Sequence, residues 1–335
     1  MPRLTLSFIS AFNERVQPLM DGTVQPEGLE LVPTYSHPAE TFWRQLKFQE
    51  FDVSEMSLSS YLIARSRGVA DMVALPVFPS RLLFHTWLAV HAESAVREPG
   101  DLAGKRLGVA EYQQTAALWL RGILEHDFGV SQYKVDWYME RTPELSHGAV
   151  TGFTPPPGIS FQRIPADKSM VSMLANRELD AAAINTPWLR AASLLDRSSR
   201  NVGDWSRLKP LFADPIAEAT RFVGKHGFLP PNHTYIIRGD VHRKHPWVAS
   251  NLYSAFVKAK ALAQEKLVER IPSALFFGPE YLAMTRKIVG DDPFSYGVAA
   301  NRPMLERLVA YSREQGLTAA TMKIEDLFAE STLTL

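Results

Sequence analysis

The sequence predicts a two-lobed α/β protein, and three observations support that fold class. Segments typical of strands alternate with segments typical of helices, which is the pattern of sheets covered by helices. The 335 residues are 46% hydrophobic, and because single domains most often have about 100–150 residues, two lobes are favoured. Residues 51–62, 74–81 and 107–117 each lead from a hydrophobic strand into polar residues. We therefore expect a small-molecule site in the cleft between the lobes.

The first lobe is expected to comprise residues 1–91 and 234–335. Hydrophobic periodicity predicts its elements in this order: a strand at 4–9, a helix near 42–48, a strand at 52–56, a helix at 59–67, and strands at 72–77 and 86–91. The strand at 86–91 leaves the lobe, a strand at 234–238 returns to it, and residues 246–335 are mostly helical.

Residues 92–233 are expected to form an inserted second lobe. Its predicted elements are a turn and strand within 99–109, a helix at 116–128, a strand at 134–138, a loop at 144–158 with Gly and Pro punctuation, and a strand of small residues at 180–187. Two segments that cross between the lobes then connect the two parts of the chain.

Charge and composition exclude several classes of function. Basic and acidic residues number 36 each, so no basic surface for nucleic acid or an anionic membrane is expected. Cysteine is absent, which excludes disulfides, thiolate nucleophiles and Cys-ligated metals. The sequence has neither a zinc-binding HExxH helix nor a glycine-rich nucleotide loop. We therefore predict no cofactor and no metal.

The start of the chain bears on location. Residues 1–10 alternate like a first strand, without the basic start and long apolar core of a signal peptide, which predicts a cytoplasmic protein. No stretch approaches the about 18 uninterrupted apolar residues that a membrane span needs. We expect no membrane partner, and the assembly state is left open, with a homo-oligomer as one possibility.

The order of lobes and crossing strands resembles the type II periplasmic-binding-protein fold. In such a fold a ligand binds between the lobes, at strand ends and helix N-termini, where free N–H groups favour anions. The segment that begins at Glu111 and continues with Tyr112, Gln113, Gln114 and Thr115 is the clearest candidate of this kind. A merely solvated helix start is the structural alternative.

Local sequence narrows the family. Several blocks together resemble the 4,5-dihydroxyphthalate decarboxylase family nearly end to end: residues 21–31, 51–62, 74–81, 101–117, 121–124, 296–302 and 314–317. The resemblance implies a cofactor-independent carboxy-lyase that releases carbon dioxide from a hydroxylated aromatic carboxylic acid. Two departures concern the pocket: Phe84 stands where the family usually has arginine, and the segment 221–233 is altered.

Such a decarboxylase needs a proton donor for the ring carbon that carries the carboxylate, and a group that accepts the proton of the ring hydroxyl. His85 and His233, expected near the hinge, are the candidate acids because imidazole titrates close to neutrality. A structural hydrogen-bonding role is the alternative for either. Arg81 is the preferred carboxylate clamp, since a guanidinium binds a carboxylate bidentately, with a surface arginine as the alternative. Arg15 is a second candidate clamp, because it matches a position where the family usually has arginine.

The remaining candidates lie at strand ends. Glu55 is the candidate acceptor of the phenol proton, and Ser57 and Ser59 are expected to hydrogen-bond the ring hydroxyls. Capping or core roles are their alternative. Asn185 and Thr186 would complete the side of the second lobe.

The family resemblance leaves alternatives of other classes. One is a solute-binding protein for a small aromatic or thiamine-precursor-like ligand, and another is a biosynthetic enzyme on the same scaffold. A small aromatic carboxylate is the expected partner of the decarboxylase.

Overall fold

The computed structural model describes residues 3–184 and 203–335. Its strands are β1 (Leu4–Ser10), β2 (Leu29–Tyr35), β3 (Val53–Ser57), β4 (Met72–Leu75), β5 (Leu88–His91), β6 (Arg106–Val109), β7 (Asp136–Met139), β8 (Phe161–Arg163), β9 (Ala181–Ala183), β10 (Leu208–Pro210) and β11 (His233–Arg238). Its α-helices are α1 (Gln17–Met20), α2 (Pro38–Phe48), α3 (Leu58–Arg67), α4 (Thr115–Phe128), α5 (His147–Thr151), α6 (Met170–Ala175), α7 (Pro215–His226), α8 (Gly239–Lys244), α9 (Trp247–Ala274), α10 (Gly278–Val289) and α11 (Arg302–Glu314).

The strands form two sheets. The first has the order β2-β1-β3-β11-β4, in which β1 is parallel to β2 and β3, and β11 runs antiparallel between β3 and β4. The second has the order β10-β5-β9-β6-β7-β8, with parallel pairs around β6 and antiparallel pairs at β5. Two mixed sheets with helices between their strands confirm the predicted α/β class.

Two chain segments connect the sheets and run side by side. Arg81 and Pro231 form an isolated antiparallel bridge, and the Asn232 amide donates to the Ser80 carbonyl at 2.9 Å. Strand β5 pairs with β9 and β10, so it already belongs to the second sheet. The lobe boundaries at residues 91 and 233 stay predictions.

Local sequence explains where the helices next to the site begin and end. The hydroxyl of Ser57 caps the N-terminus of α3 by accepting from the Ser60 amide, and α3 ends at Gly68, whose φ of 63° is costly for other residues. The prediction of a loop throughout 144–158 was wrong in part, because it contains α5. The side chain of Ser146 caps α5 by accepting from the Gly148 amide. The Gly and Pro residues of this segment favoured a loop prediction, so the helix start at Ser146 was missed.

One face of the first sheet packs against α9. Phe8 of β1, Val53 of β3 and Ile237 of β11 share a buried core with Phe256 of α9. Residues on one face recur every second position along a strand. Ser10, Glu55 and Tyr235 each lie two positions from one of these strand residues and therefore face the same side of the sheet. They are polar residues of the candidate site.

Helix α11 joins the C-terminal part of the chain to the second lobe. Its Tyr311 packs so closely on α4 that a Cβ at Gly122 would lie 2.2 Å from the ring. Only glycine permits this approach. Among the described helices, none is both long enough and apolar enough to cross a membrane.

Candidate active site

The candidate site lies at the edge of the first sheet where β1 and β3 end and β11 begins. His233 pairs with Ser57, and Tyr235 pairs with Glu55, so these four side chains share one face. Ser10 at the end of β1 completes the group, since its neighbour Ile9 pairs with Ser54. The antiparallel register of β11 therefore brings residues about 180 positions apart in the chain together.

Glu55 and His233 form a buried pair at this edge. Nδ1 of His233 lies 2.6 Å from Oε1 of Glu55, and the other carboxylate oxygen accepts from the Ala11 amide at 2.8 Å. Burial raises the pKa of Glu55, but the hydrogen bond and the charge of His233 outweigh it, so the pKa lies below its usual range. Glu55 is therefore an anion that fixes the orientation of the imidazole.

The second ring nitrogen of His233 is the end of this pair that a ligand could reach. Within the described residues Nε2 has no hydrogen-bond partner, and the residue keeps 8% of its surface exposed. The ring of Phe42 meets the imidazole edge-on, with 4.8 Å between centroids. A held imidazole with one free nitrogen beside an apolar ring has the arrangement that a proton donor requires.

Two further residues lie behind the pair, and sequence reasoning missed both. The hydroxyls of Ser10 and Tyr235 are 2.6 Å apart, and Ser10 Oγ lies 3.4 Å from Oε2 of Glu55. Strand alternation could have found them, because Tyr235 follows His233 by two positions and Ser10 directly follows the predicted strand at 4–9.

Ser57, Ser59, Gln113 and Thr115 meet where the two lobes touch. The hydroxyls of Ser57 and Thr115 are 2.9 Å apart, the Ser59 amide donates to Thr115 at 3.0 Å, and the Ser59 hydroxyl donates to the Gln113 carbonyl at 2.5 Å. The structure thus brings these four predicted residues together. The three hydroxyls bond within the group, whereas the side-chain oxygen of Gln113 accepts from Thr151 at 3.1 Å and its Nε2 is buried without a partner among the described residues.

The other residues predicted at the start of α4 have separate environments. Tyr112 lies in the core of the second lobe, where its hydroxyl donates to Gln132 at 2.9 Å and Arg121 stacks on its ring at 3.8 Å. Gln114 is half-buried at the N-cap position, without a side-chain cap. Glu111 is buried and accepts from Arg141 at 2.6 Å, so it anchors the second lobe.

Arg15 and Arg81 lie near each other, and both act electrostatically on Tyr296. Arg81 is 6% exposed and donates to the carbonyls of Leu229 and Ser295, at 3.2 and 2.7 Å, and to the Asn301 side chain at 2.5 Å. Burial lowers its pKa to about 10. Because its acceptors are neutral and lie on two segments of the chain, around Leu229 and within 295–301, Arg81 anchors this region.

The second arginine is more accessible. Arg15 is half-buried, donates to the Pro79 carbonyl at 2.6 Å from Nη2, and stacks 3.5 Å over the ring of Phe294. Burial lowers its pKa, against the raising effect of Tyr296 and Tyr235. The positive charge of Arg15 in turn favours ionisation of Tyr235, one of the residues behind the Glu55–His233 pair.

His85 has a different environment from His233. It has no exposed surface, its Nε2 lies 2.5 Å from Glu218, and the rings of Phe128, Phe212 and Phe222 surround it. Burial lowers its pKa, and the hydrogen bond to Glu218 only partly compensates. His85 is thus enclosed in an aromatic core and does not join the Glu55–His233 pair.

Two predicted residues, Asn185 and Thr186, lie outside the described residues. Among residues 3–184 and 203–335, no three His, Asp or Glu side chains gather in a way that could hold a metal ion.

Comparisons with known proteins extend these findings. No family model matches the chain. It is 32% identical to a 4,5-dihydroxyphthalate decarboxylase from Comamonas testosteroni over 335 residues, 99% of this chain and 98% of that protein. It is 35% identical to a second protein of that name, from Pseudomonas putida, over 54% of this chain and 70% of that protein.

A solved structure of similar fold is the periplasmic aliphatic sulphonate binding protein SsuA from Escherichia coli. The TM-score is 0.53 with 15% sequence identity, and the match covers 98% of this chain and 92% of that one. This likeness confirms the predicted periplasmic-binding-protein-like fold, and at such identity it concerns the fold alone.

Proposed function

The chain belongs to the 4,5-dihydroxyphthalate decarboxylase family, and from this premise we propose that it is a cofactor-independent carboxy-lyase acting on a hydroxylated aromatic carboxylic acid. The single observation that carries the proposal to this chain's own residues is the Glu55–His233 pair. Its free Nε2 and its anchored Nδ1 suit a general acid that protonates the ring.

The proposed reaction balances with one proton. Protonated His233 donates the Nε2 proton to the ring carbon that carries the carboxylate, and a C–H bond forms. The positive charge that develops in the ring is stabilised by its hydroxyl groups. The bond to the carboxylate then breaks, its electron pair restores the aromatic ring, and carbon dioxide leaves. Neutral His233 recovers its proton from solvent.

Glu55 serves this reaction through His233. Both of its oxygens are already engaged, one by the imidazole and the other by the Ala11 amide. We therefore propose that Glu55 stabilises the imidazolium and fixes its orientation, in place of the role as phenol base that the sequence suggested. Phe42 beside the ring of His233 supplies an apolar wall that favours loss of the carboxylate charge.

Substrate anchoring is assigned to the arginines. Arg15 is half-buried and stacked on Phe294, which leaves a planar cation at the rim of the site for a carboxylate that stays on the ring. Arg81 supports it from behind by holding the loop at Ser295. At the lobe contact, the hydroxyls of Ser57, Ser59 and Thr115 are proposed to exchange their mutual hydrogen bonds for the ring hydroxyls when substrate enters. The unpartnered Nε2 of Gln113 is a further donor for them.

Carbon dioxide release from a panel of hydroxylated phthalates and benzoates tests the proposal, with EDTA-treated and metal-supplemented samples alongside. Release that persists in EDTA is the expected result. If no panel member is decarboxylated but one of them, recovered unreacted, raises the Tm of the protein, the protein is a binding protein and the proposed function fails.

A further inference from the structure

A buried chain of hydroxyl groups ends at Glu55. Tyr235 Oη lies 2.6 Å from Ser10 Oγ, and Ser10 Oγ lies 3.4 Å from Oε2 of Glu55 and 2.9 Å from the Ala11 carbonyl. Tyr235 and Ser10 have no exposed surface. The hydroxyl chain is therefore sealed from solvent, and the side chain at its end is the carboxylate that holds His233.

The acceptors around Ser10 set the direction of the Tyr235 hydrogen, because the hydroxyl of Ser10 has the Ala11 carbonyl at 2.9 Å and Glu55 at 3.4 Å to donate to. Burial raises the pKa of Tyr235 well above its usual value, and the charge of Glu55 raises it further, so the phenol stays protonated and donates to Ser10. Ser10 then directs its own hydrogen to the Ala11 carbonyl or to Glu55. In the second of these two orientations Glu55 accepts from Ser10 as well as from the Ala11 amide.

Three titratable side chains act on the hydroxyl chain and on Glu55. His233 faces Glu55, while Arg15 and Tyr296 act on Tyr235 from the neighbouring loops. Donors that stabilise an anionic carboxylate make it less basic, so the shared proton stays on the imidazole. The Nε2 proton of an imidazolium is more acidic than that of a neutral imidazole, and proton transfer to the ring depends on that acidity.

We propose that Tyr235 and Ser10 are positioning residues of the decarboxylase, acting on His233 through Glu55 by keeping the shared proton on the imidazole. The effect on rate rests on the proposed function, whereas the effect on His233 does not. Neither residue touches the substrate in this arrangement, because Glu55 and His233 stand between the chain and the free nitrogen.

Replacing the phenol need not disturb the fold. The ring of Tyr235 packs 4.4 Å from that of Phe256 and 5.7 Å from that of Phe8, between centroids, and phenylalanine keeps both contacts. Tyr253→Phe is the matched control, since this tyrosine belongs to the same core and its hydroxyl instead faces the Leu335 carbonyl, at 3.5 Å.

The experiment compares Tyr235→Phe, Ser10→Ala, the double variant and Tyr253→Phe by kcat and by NMR titration of the His233 imidazole. Each single variant is expected to lower kcat about 2- to 10-fold, the effect of one neutral hydrogen bond. Because the two hydroxyls act as one chain, the double variant should fall no further. The titration midpoint of the Glu55–His233 pair should move to higher pH, since a more basic carboxylate binds the shared proton more tightly.

The outcomes separate this inference from the proposed function. Fully additive losses in the double variant, or a His233 titration in Tyr235→Phe identical to that of the parent, would overturn it. If the parent protein decarboxylates nothing, the proposed function fails, and the titration still decides the inference. A lowered Tm with unchanged titration in Tyr235→Phe would show a merely structural role and overturn it as well.

Discussion

His233 and Glu55 lie on the same face of one sheet, diagonally across β11 and β3, with Nδ1 of the imidazole 2.6 Å from Oε1 of the carboxylate. The antiparallel pairing that creates this contact joins two distant parts of the chain. Because β11 starts immediately after the segment at Pro231 that runs beside Arg81 between the two sheets, His233 stands at the end of that connection.

His233→Gln should abolish most of the activity. Glutamine keeps a hydrogen bond to Glu55 but cannot deliver a proton near neutral pH, so kcat should fall by roughly a hundredfold or more, the usual share of a general acid. Steady-state kinetics and a binding measurement with unreacted substrate would check this. His126→Gln, on the exposed side of α4, is the control, and an unchanged kcat in His233→Gln would remove His233 from the mechanism.

His85→Gln should affect stability and leave turnover within about threefold. The residue is enclosed by three phenylalanine rings and bonded to Glu218, so a polar, flexible replacement disturbs packing there. Thermal unfolding and kcat on the same sample distinguish the two effects. A hundredfold loss of kcat at an unchanged Tm would reverse the assignments of His85 and His233.

Glu55→Gln should shift the pH dependence of the rate. The anionic carboxylate stabilises the imidazolium, so its neutral replacement favours the unprotonated ring. The activity that requires protonated His233 should then disappear at lower pH than in the parent, opposite to the shift expected for Tyr235→Phe. Profiles of kcat/KM against pH measure this, and a Glu55→Gln profile that coincides with the parent's would mean that the pair does not control the proton.

Strand and helix periodicity predicted much of the fold. The predicted strand at 52–56 and helix at 59–67 match β3 and α3 within one residue, because both are buried and hydrophobic patterns report burial. Strand β2 was not predicted. Only Leu29 of its seven residues is buried, so this edge strand carries almost no periodic signal.

The sequence predicted which residues belong to the candidate site, but not which of them contact each other. Glu55 and His233 were both proposed, but that they contact each other depends on the register between β3 and β11, which no local pattern specifies. His85 and His233 looked equivalent in the sequence. They differ because one lies among phenylalanines that come from distant segments, which only the folded structure brings together.

Asp127→Asn should lower stability at neutral pH. The carboxylate has no exposed side-chain surface and lies 2.8 Å from Arg221, 2.7 Å from Lys225 and 3.0 Å from His226. Burial opposes ionisation, but these hydrogen bonds outweigh it and lower the pKa to about 2 from 3.8. The shift corresponds to about 2 kcal/mol of unfolding free energy.

The sign of the pH dependence follows from that shift. A carboxyl group whose pKa is lower in the folded than in the unfolded state stabilises the folded protein at pH values above the unfolded pKa. The contribution of Asp127 is therefore lost as pH falls from about 4 toward 2. Urea unfolding of parent and Asp127→Asn should thus differ at pH 7 and converge in acid. Asp71→Asn, which breaks an exposed pair with Arg243, should cost less than about 1 kcal/mol, and an equal loss in both variants would contradict the prediction.

Arg15→Lys should raise KM about tenfold while kcat changes little. Lysine keeps the charge but loses both the planar stack on Phe294 and the fork that binds two carboxylate oxygens. Since a clamp on a spectator carboxylate acts equally in the ground state and the transition state, its loss appears in KM.

The matched variant is Arg81→Lys, in which charge is also kept. Arg81 holds Leu229, Ser295 and Asn301, and lysine cannot reach all three, so this variant should lower the Tm as well as weaken binding. Kinetics and thermal unfolding of both variants separate a clamp from an anchor. If Arg15→Lys binds substrate as tightly as the parent while Arg81→Lys weakens binding at an unchanged Tm, Arg81 is the clamp and Arg15 the support.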